Sequence, residues 1–151
     1  MCAVDNTPAP AMNRDEVSAY LEEVFPEPNH DGENFVVEAV RFQGARVRMN
    51  YRDQFLRPGG TISGPAMFTL ADYGMYVALL ASIGRVPLAV TTSANINFLR
   101  RPAPTALIAE VDLIKLGRRL AVGEVSMTSA GSDDLVAHVT ATYSLPPDVV
   151  K

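Results

Sequence analysis

The chain has one cysteine in 151 residues, Cys2, which excludes an intrachain disulfide framework and a cysteine-based zinc site. Histidine is nearly as scarce. His30 and His138 lie far apart and show no metal-ligand spacing. Basic residues are in deficit: 13 Lys and Arg against 17 Asp and Glu give a formal net charge of −4, which argues against a nucleic-acid-binding surface. No apolar signal-type segment opens the sequence, so the expected location is cytoplasmic. There is no internal repeat and no low-complexity segment. What remains is ordinary for a soluble globule, 48% hydrophobic and 20% charged, with length enough for one domain and a sizeable core.

One stretch departs from that average. Pro58 to Gly84, PGGTISGPAMFTLADYGMYVALLASIG, carries a single charged residue, Asp72. Ser63 or Gly64 can cap a helix whose first turn holds Pro65, where a missing N–H costs nothing. Gly84 is a natural stop, with Pro87 just beyond. The predicted helix runs roughly five turns. Met67, Phe68, Leu70, Met75, Val77, Leu79, Leu80 and Ile83 make it apolar nearly all round, which places it in a core. Its small and polar residues and flanking turns argue against a membrane span. Asp72 must then be paired, neutralised or exposed in a cavity, because an unpartnered buried carboxylate is expensive. A carboxylate near a helix start with free N–H groups suits acyl transfer. It also has an architectural reading, as a partner for Ser or Thr hydroxyls or a residue at a subunit interface.

The flanking chain reads as α+β. Residues 1–12 form an expected loose tail and 147–151 another, leaving one domain over 13–146. Asn13 caps an amphipathic helix with Val17, Tyr20, Leu21 and Val24 on one stripe, stopped near Phe25 by Pro26. Phe35 to Val40 and Gly44 to Tyr51 are strand-like, either a hairpin or one long bent strand. Leu88–Leu99, Ala106–Leu116, Ala121–Ser129 and Leu135–Leu145 alternate in the manner of strands and favour an antiparallel meander. One antiparallel sheet curved around one apolar helix buries both, and its open edges imply dimerisation.

Gly60 to Asp72, GTISGPAMFTLAD, resembles the GxxHGGxxxxLAD motif of hotdog-fold acyl-CoA thioesterases of the phenylacetyl-CoA thioesterase type. TTSANINFLRRPA, KLGRRLAVGEVSM and VAHVTATYSLP resemble that family's later strands, so the similarity spans roughly Phe42 to Pro146. The resemblance implies a hotdog fold, a curved antiparallel sheet wrapped around a long central helix, here with an extra N-terminal helix. It implies that Asp72 acts as general base or nucleophile, that the Gly64 N–H polarises the thioester carbonyl, and that Thr91, with Thr92 beside it, places the water. It further implies a homodimer or dimer of dimers with the site completed across the interface, and no cofactor beyond the coenzyme A of the substrate.

Three positions depart from the motif. Ser63 replaces the family histidine, Pro65 the second glycine, and Arg57 the preceding Asn or Gln. Ser63 can still cap and hydrogen-bond. Arg57 is placed either to pair with Asp72, lowering its pKa, or to contact a thioester oxygen or a CoA phosphate. Arg100 with Arg101, and Arg118 with Arg119, are further phosphate candidates or ordinary surface charge. The leading expectation is hydrolysis of a small or medium acyl- or aryl-CoA by Asp72, Gly64 and Thr91. A non-catalytic acyl-CoA-binding protein is the alternative. A hydratase, which needs an Asp/His pair, is disfavoured because no histidine lies near Asp72 in sequence.

Overall fold

The computed structural model describes residues 4–147. Cys2 and most of the expected C-terminal tail lie outside that range. The end of the expected N-terminal tail is docked: Met12 is buried and the Ala11 N–H donates to the Ala81 carbonyl at 2.6 Å.

Helix α1 spans Arg14–Val24. Asn13 accepts a hydrogen bond from the Glu16 N–H at 2.9 Å, and the Glu16 carboxylate accepts one from the Asn13 N–H at 3.1 Å. This reciprocal box satisfies two amides that the helix start leaves without partners. Val17, Tyr20 and Leu21 are buried, and the helix ends at Phe25, ahead of Pro26. Strands β1 (Phe35–Arg41) and β2 (Gly44–Met49) form a hairpin rather than one bent strand. Gln43 closes the turn at φ 63°, in the left-handed region.

Helix α2 spans Gly64–Ile83. Ser63 is its N-cap, accepting from the Ala66 N–H at 3.2 Å, and Pro65 sits in the first turn. Gly84 ends it at φ 85°, a conformation glycine adopts without steric cost. A Cβ on Gly74 would lie 2.9 Å from Val111 Cγ2, so the bare backbone lets α2 settle closely on the sheet. The helix touches all six strands. It is long and apolar enough to span a membrane by composition alone, yet most of it is buried within the fold. One side stays open: Pro65, Phe68, Thr69 and Asp72 form an exposed strip at helical spacing, with Phe68 38% exposed. The helix is therefore not covered all round, and Phe68 is not a core residue of this chain.

Strands β3 (Val90–Phe98), β4 (Leu107–Leu116), β5 (Leu120–Ser129) and β6 (Leu135–Ser144) complete one sheet in the order β1-β2-β4-β5-β6-β3, every pair antiparallel. The expected meander holds only for β4, β5 and β6. Pro102 and Pro104 interrupt the chain after β3, and no tight hairpin joins it to β4. Instead β3 lies beyond β6 as an edge strand, and the next segment returns past β6 and β5. Eight of the nine β3 residues are exposed. A long edge of unpaired backbone groups beside an exposed apolar helix strip is surface that calls for a partner.

Candidate active site

Asp72 projects from the open side of α2 toward β3. Its Oδ1 accepts from the Thr91 hydroxyl and, at 2.6 Å, from the Tyr143 hydroxyl. The second contact was not anticipated from sequence. It follows from register, because Thr91 on β3 pairs directly with Tyr143 on β6, so their side chains share one face of the sheet. Val139, Ala141 and Tyr143 alternate along β6, all buried, and only the last carries a polar tip. That tip at the end of an apolar alternation was the available signal. Tyr143 is 3% exposed, and its burial first, then the charge of Asp72, push its phenol far above the usual range, so it remains a donor.

Both donors reach Oδ1, and the Tyr143 hydroxyl also lies 3.0 Å from the Asp72 backbone carbonyl oxygen. Asp72 Oδ2 has no hydrogen-bond partner among the described residues, so the carboxylate is fixed in orientation by one atom and open at the other. A bulge in β3 supports this. Thr91 pairs with Tyr143 and Ser93 with Thr142, leaving Thr92 as the extra residue. The Thr92 hydroxyl donates to the Thr142 carbonyl at 3.2 Å and takes no part in the contacts of Asp72.

Two cavities meet at this carboxylate. One, of about 450 Å³, is lined by Val24, Phe25, Tyr73, Tyr76, Val90 and Tyr143 along with Asp72 and Thr91. The other, of about 350 Å³, opens on the opposite side among Phe68, Thr69, Ala94, Val139 and Ala141.

Of the two readings of Arg57, the pair with Asp72 does not form: among the described residues, Asp72 has no cationic partner within 4.0 Å. Arg57 instead lines a third groove, of about 490 Å³, with Gly64, Phe98, Arg100 and Arg101. Thus three of the five candidate arginines gather around the start of α2. Gly64 is the first helical residue, and its N–H has no backbone carbonyl partner in the surrounding loops among the described residues. Ser63 uses its hydroxyl as the cap acceptor, and Pro65 offers no N–H. The Phe98 ring lies over Gly64, 3.2 Å from where a Cβ would stand.

Arg118 and Arg119 occupy the turn between β4 and β5, exposed. Arg119 lies beside the far end of β6, where its carbonyl accepts from the Leu145 N–H at 2.8 Å. The other arginine pair follows β3 at the opposite end, where the Arg100 N–H donates to the Val136 carbonyl at 3.1 Å. The two pairs are separated within one chain by the length of β6, roughly 30 Å.

Gly64 and Asp72 are likewise not brought together. Eight residues of helix separate them, about 12 Å along the axis. A reacting carbon needs both within about 3 Å, so one chain cannot supply both to one thioester.

A family model described as the thioesterase superfamily matches residues 59–136, which include Gly64, Asp72, Thr91 and both arginine pairs. The crystal structure of a putative thioesterase from Silicibacter sp. TM1040 superposes with a TM-score of 0.83 at 43% identity, covering 95% of this chain and 97% of that one. A putative esterase of Saccharolobus solfataricus is 29% identical over 137 residues, 89% of this chain and 86% of that protein. The PaaI protein of the Escherichia coli phenylacetic acid degradation operon shares the fold, with a TM-score of 0.77 at 17% identity, over 91% of this chain and 96% of that one.

Proposed function

The chain belongs to the thioesterase superfamily and has its hotdog fold, and on that premise we propose that it hydrolyses a small or medium acyl- or aryl-CoA thioester at a site shared by two copies. The observation that carries the reading is the Asp72 carboxylate, held at Oδ1 by Thr91 and Tyr143 and open at Oδ2 between two cavities.

The pairing of copies follows from the same spacing that separates Gly64 from Asp72. Residue 68 is midway between them, and Phe68 is the exposed apolar residue of the strip. On β3 the equivalent midpoint between Thr91 and Phe98 falls at Ala94 and Asn95. A twofold axis near these points sets the open β3 edges antiparallel and brings Gly64 of one copy opposite Asp72 of the other. It also brings the Arg118–Arg119 turn of one copy toward the Arg57, Arg100 and Arg101 groove of its partner. CoA phosphates fit that groove, where guanidinium groups surround a helix start.

In the reaction, Asp72 Oδ2 takes a proton from water as the water oxygen bonds to the thioester carbon. The carbonyl oxygen, now negative, is held by the Gly64 N–H of the second copy. Collapse breaks the C–S bond, and the CoA thiolate recovers the proton from Asp72. The products are a free acid and CoA, with water as the co-substrate and no resident cofactor. Ser63, Pro65 and Arg57 do not obstruct this scheme: Ser63 caps the helix, Pro65 leaves the Gly64 amide intact, and Arg57 faces the phosphate groove.

The test is turnover on a panel of acyl-CoA esters, wild type against Asp72→Asn. The rate constant should fall by about two orders of magnitude or more while binding is kept. Tight binding of CoA esters without turnover by the wild type would replace hydrolysis with a carrier or scaffold role.

A further inference from the structure

We propose that Phe25, at the end of α1, is the residue that limits the length of the acyl group, acting as a partition between the cavity beside Asp72 and a second cavity behind it. The inference rests on the thioester reading for its substrate class. The choice of cavity rests on the proposed pairing of copies, and the partition itself on residues lining both cavities.

The cavity beside Asp72 on the Tyr143 side is the acyl side by elimination. The opposite cavity opens beside Phe68 and Ala94, where the second copy packs in the proposed pairing. The Tyr143-side cavity shares Asp72 and Thr91 with it but extends toward the end of α1 rather than toward Phe68 and Ala94, and Val24, Phe25, Tyr73 and Tyr76 give it an apolar and aromatic wall. Behind it lies a further cavity of about 400 Å³ between α1 and β1, lined by Leu21, Glu22, His30, Phe35 and Val37. Two residues line both cavities, Phe25 and Tyr73. Their rings stack with centroids 6.4 Å apart and an interplanar angle of 29°.

The two rings differ in how they are held. Tyr73 is buried on α2 and stacks on Phe35 as well, at 5.1 Å. Phe25 is 41% exposed and is the residue at which the helix ends. The helix that carries it is docked, through its buried stripe and through the Arg85 guanidinium lying 5.2 Å from the Tyr20 ring. Phe25 is therefore a partition on a fixed support, and its removal costs little core. A short chain or a single aromatic ring ends against the Phe25 and Tyr73 faces. A longer chain meets the partition and must stay in water.

Replacing Phe25 by Ala joins the two cavities, so chains long enough to reach the second cavity gain apolar burial. The experiment measures kcat/KM for hexanoyl-, phenylacetyl- and dodecanoyl-CoA with wild type and Phe25→Ala. The dodecanoyl-to-hexanoyl ratio should rise roughly tenfold or more, in the range that hydrophobic pockets discriminate by size. Phe25→Leu, which keeps a partition, should leave it near the wild-type value. In parallel, binding of the non-hydrolysable thioether analogues of the same esters is measured by calorimetry. The same shift in chain preference there supports the partition even if no ester is turned over, which would defeat hydrolysis alone. An unchanged ratio in both measurements, with Phe25→Ala folded by circular dichroism, overturns the partition and leaves hydrolysis standing.

Discussion

Asp72 receives both of its hydroxyl donors on a single oxygen, and the two donors come from adjacent strands. They set the angle of the carboxylate and leave the other oxygen to the chemistry. Tyr143→Phe and Thr91→Val should each lower kcat about tenfold with KM little changed. The double variant should lose more than the product of the two single losses, because in each single variant the remaining hydroxyl does part of the work of the missing one. Steady-state kinetics on the best ester checks this. Asp72 was legible from sequence as the only charge in an apolar run. Tyr143 was not, because its partner lies 71 residues away and only the strand register joins them. Tyr73, buried, and Tyr76, half-buried, also carry a pH signature. Burial, with Glu22 adding for Tyr73 and Tyr20 for Tyr76, raises both phenols to about 12. A phenol that holds its proton more tightly when folded contributes stability that is intact below about pH 10 and is lost as pH rises toward 12. The melting temperature should accordingly fall between pH 10 and pH 12, with little contribution from these groups between pH 7 and pH 9.

At the level of elements, α2 is specified locally and placed globally. Ser63, Pro65 and Gly84 mark its ends in the sequence, and the structure uses them as cap, first-turn residue and stop. Its face is set by packing, which is why a run that reads as apolar all round proves to have an open strip. The strand β3 makes the complementary case. Its alternation is visible in TTSANINF, but nothing local says whether its neighbour is β4 or β6, and the two prolines after it were the available hint. At Gly74 the helix approaches the sheet closely enough that a side chain would disturb the contact. Gly74→Ala places a methyl 2.9 Å from Val111 Cγ2 and should cost about 1–3 kcal/mol in urea unfolding, despite the higher helix propensity of alanine. A smaller loss, about 1 kcal/mol, is expected from Ser63→Ala, which deletes the cap acceptor.

For the whole molecule, the exposed edge of β3 and the strip around Phe68 are read as one surface, and the proposed site exists only when it is covered. Phe68→Asp places a charge there at no cost to the chain's own core. It should yield a folded monomer by light scattering with hydrolysis reduced to the level of Asp72→Asn, whereas a dimer retaining full rate would break the link between assembly and catalysis. The eight-residue interval from Gly64 to Asp72 carries a further consequence. If each site borrows its amide from one copy and its carboxylate from the other, two dead proteins can rescue each other. Gly64→Pro lacks the amide and Asp72→Asn lacks the acid. Refolded together, a mixed pair concentrates both lesions in one site and leaves the other whole. An equal mixture should then regain about a quarter of wild-type turnover, far above either parent alone.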